Sequence, residues 1–81
     1  EGKITSYKSL FIEWCQKVKK DFSYDVYEDT GNDTIKHFSV KLRLDGKIIA
    51  KGRATSKKKA EETASKRAYY AFQEEIEASL N

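Results

Sequence analysis

The chain has no proline and no methionine, and only one cysteine and one histidine in 81 residues. Without proline, nothing removes a backbone donor or breaks an element outright, so boundaries must be read from periodicity and turn residues. The single cysteine, Cys15, excludes an internal disulfide and any cysteine-based zinc site. A reducing cytoplasm is therefore the expected setting. No apolar run approaches the ~18 residues that suggest a membrane-spanning helix, and the N-terminus lacks a signal peptide's apolar region. The missing methionine and the start Glu1-Gly2-Lys3 suggest a piece cut from a longer protein.

What is present suffices for one core. Hydrophobic residues make up 38% and charged residues 36%, too apolar for a disordered tail. The expectation is a single domain over 1–81, with its core at about 5–77. Net charge is only +3, but it is unevenly placed: residues 36–59 carry nine Lys/Arg against one Asp, a net of +8. The flanking segments are net acidic. Such a block suits a polyanion, although a solvated surface would show the same composition.

Apolar residues at Tyr7, Leu10, Phe11, Trp14 and Val18 recur at helical spacing, with Thr5 or Ser6 as cap. This predicts a first helix near 6–20. Tyr24 and Val26 suggest a strand at about 23–28, followed by the polar loop Glu28 to Thr34. Phe38, Val40, Leu42 and Leu44 alternate with Ser39, Lys41 and Arg43, the period of a strand with one buried face. Asp45-Gly46 is a favoured pair for a two-residue hairpin. A third strand follows over Lys47 to Ala54, with Ile48, Ala50, Gly52 and Ala54 on one face. Ser56 caps a second helix, predicted over 57–77, whose buried stripe is Ala60, Ala64, Ala68, Ala71, Phe72 and Ile76. The order gives an α+β fold, α-β-β-β-α, with a three-stranded antiparallel sheet and two helices packed on one face. Trp14 and Cys15 read as core, and one of Tyr69 and Tyr70 as half exposed.

One place breaks a local rule. Ser56-Lys57-Lys58-Lys59 puts three cations at a helix N-terminus, which already carries roughly half a positive charge. Rule-breaking positions are often functional. A phosphate seated on the exposed N–H groups would explain the lysines; a solvated charge run is the plainer alternative.

Here the sequence resembles the double-stranded RNA-binding domain family. The residues that carry the likeness are Thr55-Ser56-Lys57-Lys58-Lys59-Ala60-Glu61-Glu62-Thr63-Ala64-Ser65, Tyr24-Asp25-Val26-Tyr27-Glu28, Gly31, and Phe38-Ser39-Val40-Lys41-Leu42 with Gly46. Ser6 to Lys17 looks like the lead-in to the C-terminal domain of bacterial-type ribonuclease III. The resemblance implies a three-point grip on double-stranded RNA that reads shape over about 16 base pairs. It places phosphate contacts on Ser56, Lys57, Lys58 and Lys59, and minor-groove contacts on Ser9, Glu13 and Gln16 of the first helix and on Asn32, Asp33 and Thr34 of the loop. The plainer readings are an ordinary solvated helix flank and a connecting loop. This chain departs from the family at Gly31-Asn32-Asp33-Thr34, where Gly-Pro-x-His is common, and at Glu61, where many members have lysine.

The resemblance also implies a ribonuclease III as the longer protein, an endoribonuclease that depends on magnesium and is compatible with a homodimer. No catalytic pair, phosphate loop or two-metal carboxylate cluster is legible in this chain. No catalytic residue, metal ligand, cofactor, small-molecule ligand or membrane contact is expected of it, and any magnesium would belong to a catalytic segment outside it. Glu74, Glu75 and Glu77 read as a solvated helix end. His37 reads as a surface strand residue. A family member that has lost RNA binding and pairs with a protein is the alternative function. Single-strand binding would want exposed aromatics on the sheet's outer face, which Lys41, Arg43, Lys51 and Arg53 do not supply.

Overall fold

A computed structural model of the chain describes residues 6–31 and 34–80. Its elements run α1 (Tyr7–Lys17), β1 (Phe22–Glu28), β2 (Phe38–Leu44), β3 (Lys47–Ala54), α2 (Lys57–Ala71) and α3 (Gln73–Leu80). The three strands form one antiparallel sheet in the order β1-β2-β3. Glu28 faces Phe38, and Phe38 faces Ala54. The β1–β2 loop and the start of α2 therefore emerge at the same end of the sheet.

Ser6 caps α1, its hydroxyl accepting from the Ser9 amide at 3.1 Å. Thr5, the other candidate cap, lies outside the described residues. The helix stops earlier than periodicity predicts. Lys19 takes a left-handed φ of 61°, and the amides of Lys19 and Lys20 turn back to the carbonyls of Gln16 and Cys15. This is the αL closure usually given to glycine. Val18 is thus a half-exposed cap rather than part of the apolar stripe.

Asp45 and Gly46 both have positive φ, 52° and 86°, as a type I′ hairpin requires. Beyond the turn a β-bulge corrects the predicted face of β3. Leu42 pairs with Ala50 but Arg43 pairs with Ile48, so Ile49 has no partner in the ladder. The extra residue turns Ile48 out to solvent and lets Ile49 pack on the core. From Ala50 onward the expected alternation holds.

The second long helix is two helices. At Phe72 the backbone leaves helical geometry (φ −118°, ψ 30°), with no proline or glycine to mark the break. The redirected α3 packs against α1, buries Ile76 completely, and accepts a hydrogen bond from Lys17 Nζ at the Ser79 carbonyl. Burial of Ile76 and Phe72 beside Trp14 (ring centroids 5.5 Å apart) outweighs the hydrogen bonding forgone at the break. Ala71, expected on the buried stripe, faces solvent.

The core joins Phe11, Trp14 and Cys15 of α1, Val40, Leu42 and Leu44 of β2, Ala50 of β3, Ala60, Ala64 and Ala68 of α2, and Ile76 of α3. α2 lies directly on β2 and β3, and its alanines allow a close approach. One polar pair crosses this interior. Ser65, fully buried, donates to the Glu61 carbonyl at 2.7 Å. Its only proton is then committed, so Tyr24 donates to Ser65 at 2.6 Å.

Burial pushes the Tyr24 hydroxyl up to about 12 and the Cys15 thiol up to about 11. Both folded-state values exceed the ordinary ones, so the native state holds these protons more tightly than the unfolded chain. The associated stability is whole below pH about 9 and is lost as pH rises toward 11 and 12. It amounts to at most on the order of 2–3 kcal/mol per group. Urea midpoints measured across pH 8 to 12 are expected to fall over that window. In Tyr24→Phe the decline above pH about 10 should be shallower.

Candidate functional site

The N-terminus of α2 is built as a cationic platform. Ser56 caps it, accepting from the Lys59 amide at 3.1 Å, and no acidic residue occupies its first turn. Lys57, Lys58 and Lys59 are exposed. Among the described residues none of the three pairs with a carboxylate. Lys57 Nζ stands 5.7 Å from the centre of the Phe38 ring, which fixes the platform beside the first residue of β2. Three exposed ammonium groups within one helical turn, at the positive end of the helix dipole, make this end of α2 strongly electropositive.

The β1–β2 loop adjoins this platform. Asn32 and Asp33 lie outside the described residues; Thr34 is exposed. The acidic stem of the loop is internally neutralised. Asp29 accepts from the Ser39 hydroxyl at 2.8 Å and meets Arg53 at 3.4 Å, and Glu28 meets Lys36 at 3.4 Å. Arg53 also donates to the Asp29 carbonyl at 3.0 Å. These stem carboxylates therefore do not face an incoming polyanion uncompensated. His37 lies just before β2 rather than within it, and its carbonyl accepts from the Asp29 amide at 2.8 Å.

Ser9, Glu13 and Gln16 form an exposed flank of α1, spaced along one side of the helix. Sequence reasoning missed how α1 is tied to α2. Glu62 reaches the first turn of α1, where its carboxylate accepts from the Tyr7 amide at 2.6 Å and the Lys8 amide at 3.3 Å. Glu61 pairs with Lys8 Nζ at 2.6 Å. Both acids closely follow the lysine run, yet both are engaged by α1. Contacts between residues so far apart in the chain leave no local spacing signal. Glu61, a departure from the family pattern, is here the anchor of Lys8.

An open recess of about 430 Å³ lies between these helices, lined by Tyr7, Ala54, Lys59, Glu62, Thr63 and Lys66. Tyr7 also contacts Tyr69 and Tyr70. Tyr70 is half exposed, as predicted for one of that pair.

The outer face of the sheet differs from expectation. Alongside Lys41, Arg43, Lys51 and Arg53 it carries an aromatic ring, Tyr27, 45% exposed, with Lys41 Nζ 5.7 Å from its centroid. Arg43 on the same face is held by Asp25 at 2.7 Å. One ring already covered by a lysine is a poor platform for successive bases. Among the described residues no group of three or more His, Cys, Asp or Glu could hold a metal ion, and no helix is long and apolar enough to cross a membrane.

Comparison with known proteins adds the family context. A family model described as "Double-stranded RNA binding motif" matches residues 7–70. Ribonuclease 3 of Zunongwangia profunda is 71% identical over 76 residues, 94% of this chain and 31% of that protein. Ribonuclease 3 of Flavobacterium psychrophilum is 65% identical over 95% of this chain and, again, 31% of its own length. The chain thus spans about a third of these relatives. Among solved structures, the second double-stranded RNA-binding domain of DRB4 superposes with a TM-score of 0.66 at 28% identity, covering 85% of this chain and 97% of that one.

Proposed function

Because the chain belongs to the double-stranded RNA-binding motif family, we propose that it grips an A-form RNA duplex and supplies substrate affinity to a ribonuclease 3-type enzyme. The observation that carries this reading is the exposed lysine turn at the start of α2, which holds no acidic residue. In A-form RNA the deep, narrow major groove brings two phosphate backbones together. A compact ammonium cluster at a helix N-terminus suits that spacing; the wider major groove of B-form DNA does not offer it.

Lys57, Lys58 and Lys59 would lie across the phosphates. Ser9, Glu13 and Gln16 would meet 2′-hydroxyls and base edges in one minor groove, and the loop holding Asn32, Asp33 and Thr34 would enter the next. Such contacts read shape and the 2′-hydroxyl over sequence. Hydrolysis would belong to the remainder of the enzyme. The donor set among the described residues does not suit the magnesium that such hydrolysis uses.

Titration with a ~20-base-pair RNA duplex, the matching DNA duplex and each single strand, at two salt concentrations, tests the reading. We expect the RNA duplex to bind about tenfold more tightly than the others, with affinity falling steeply as salt rises. Equal affinity for RNA and DNA duplexes would refute it. Absence of all nucleic-acid binding would favour a protein partner.

A further inference from the structure

We infer that Glu62 is a positioning residue for duplex binding: its carboxylate locks the first turn of α1 onto α2 and so sets the spacing between the two surfaces that meet RNA. The inference rests on the duplex-binding reading above.

The first N–H groups of a helix have no partner within it. In α1 the amides of its first three residues, Tyr7, Lys8 and Ser9, are all satisfied, that of Ser9 by the Ser6 hydroxyl at 3.1 Å. The remaining two, Tyr7 and Lys8, both go to Glu62. Glu61 holds the side chain of the same Lys8. Two adjacent carboxylates of α2 therefore fix both the backbone and the side chain at one point of α1. Ser9, the first residue of the proposed minor-groove flank, comes next in the chain. At the other end of the clamp, Lys59 lies less than one helical turn before Glu62. The clamp thus joins the two surfaces directly.

A grip made at several points on one rigid body gains from their fixed geometry, and a loosened spacing forfeits that gain. Simple electrostatics predicts the opposite response. Removing Glu62 deletes a negative charge beside the lysine run and frees two α1 amides for a phosphate, so charge alone would make the protein bind RNA more tightly. The sign of the change separates the two accounts.

The full chain carrying Glu62→Ala, and separately Glu62→Gln, would be titrated with RNA duplexes of ~20 and ~10 base pairs, the shorter too small to span all three contacts. We expect Glu62→Ala to bind the longer duplex about tenfold more weakly while holding the shorter one at least as tightly as the unsubstituted chain. Glu62→Gln keeps an acceptor oxygen and should fall between them. Should the alanine variant not fold by circular dichroism, the glutamine variant carries the same comparison. A folded variant that binds the longer duplex as tightly as the unsubstituted chain, or more tightly, overturns the inference alone. An unsubstituted chain with no affinity for duplex RNA overturns the duplex reading, and this inference with it.

Discussion

Changing Lys57, Lys58 and Lys59 together to alanine is expected to weaken binding of a ~20-base-pair RNA duplex by about a hundredfold at moderate salt. It should also reduce the slope of log affinity against log salt by about 2 to 3, near one for each phosphate no longer neutralised. The fold should survive. All three side chains are exposed, and none is ion-paired with a described residue. The Ser56 cap, which accepts from a backbone amide, is untouched.

The same variant should unfold at a slightly higher temperature. Each lysine at a helix N-terminus opposes the dipole at a cost of about a few tenths of a kcal/mol, and alanine is the better helix former. A gain approaching ~1 kcal/mol would raise the melting temperature by roughly 4–8 °C in a domain of this size. Binding and stability therefore move in opposite directions. That pattern marks residues retained for a ligand, and a merely solvated charge run would not produce a large binding loss. If the triple variant binds duplex RNA within about twofold of the unsubstituted chain, the platform is not the phosphate site.

Much of this was legible in the sequence because the relevant signals are local. The β2 alternation, the Asp45-Gly46 turn and the Ser56 cap each follow from neighbours within a few residues, and the structure reproduces them except at Ser39, expected on the wet face but buried with its hydroxyl donating to Asp29. The lysine anomaly is local too. What escaped depends on partners distant in the chain. The break at Phe72 arises because Ile76 has a place in the core beside α1, which no feature of 57–77 announces. The outward turn of Ile48 follows from one unpaired residue in a ladder, and a shift of one residue exchanges the faces of a strand. The Glu62 contacts with α1 are invisible for the same reason. From the sequence, Glu61 and Glu62 are two acids following a basic run; in the fold they are answered by Lys8 and by two backbone amides.

A substitution at Gly52 is expected to have the largest effect on stability. Glycine inside a strand is normally a weakness, and alanine there would usually gain roughly 0.5–1 kcal/mol. At Gly52 the sign reverses. A Cβ built on this residue would lie 2.4 Å from the Ala60 carbonyl oxygen and 2.7 Å from the Ala64 amide nitrogen. Both obstacles are backbone atoms of α2, so no side chain can swing aside. The backbone of Gly52 does not occupy the left-handed region, so the whole cost is steric. Relief requires α2 to lift from β3, which would open gaps around Ala60 and Ala64, both fully buried. Overpacking of this kind costs about 1–3 kcal/mol and sometimes more. With two backbone collisions, we expect Gly52→Ala to lose about 3 kcal/mol in urea unfolding, and Gly52→Val to leave no cooperative transition. Small domains have roughly 5–15 kcal/mol in total. Because α2 carries the lysine platform at its start, Gly52→Ala should also weaken duplex binding under conditions where it remains folded, although Gly52 itself is buried and cannot touch RNA. A Gly52→Ala variant as stable as the unsubstituted chain would mean that α2 does not sit this close to β3, and the spacing on which the platform depends would have to be redrawn.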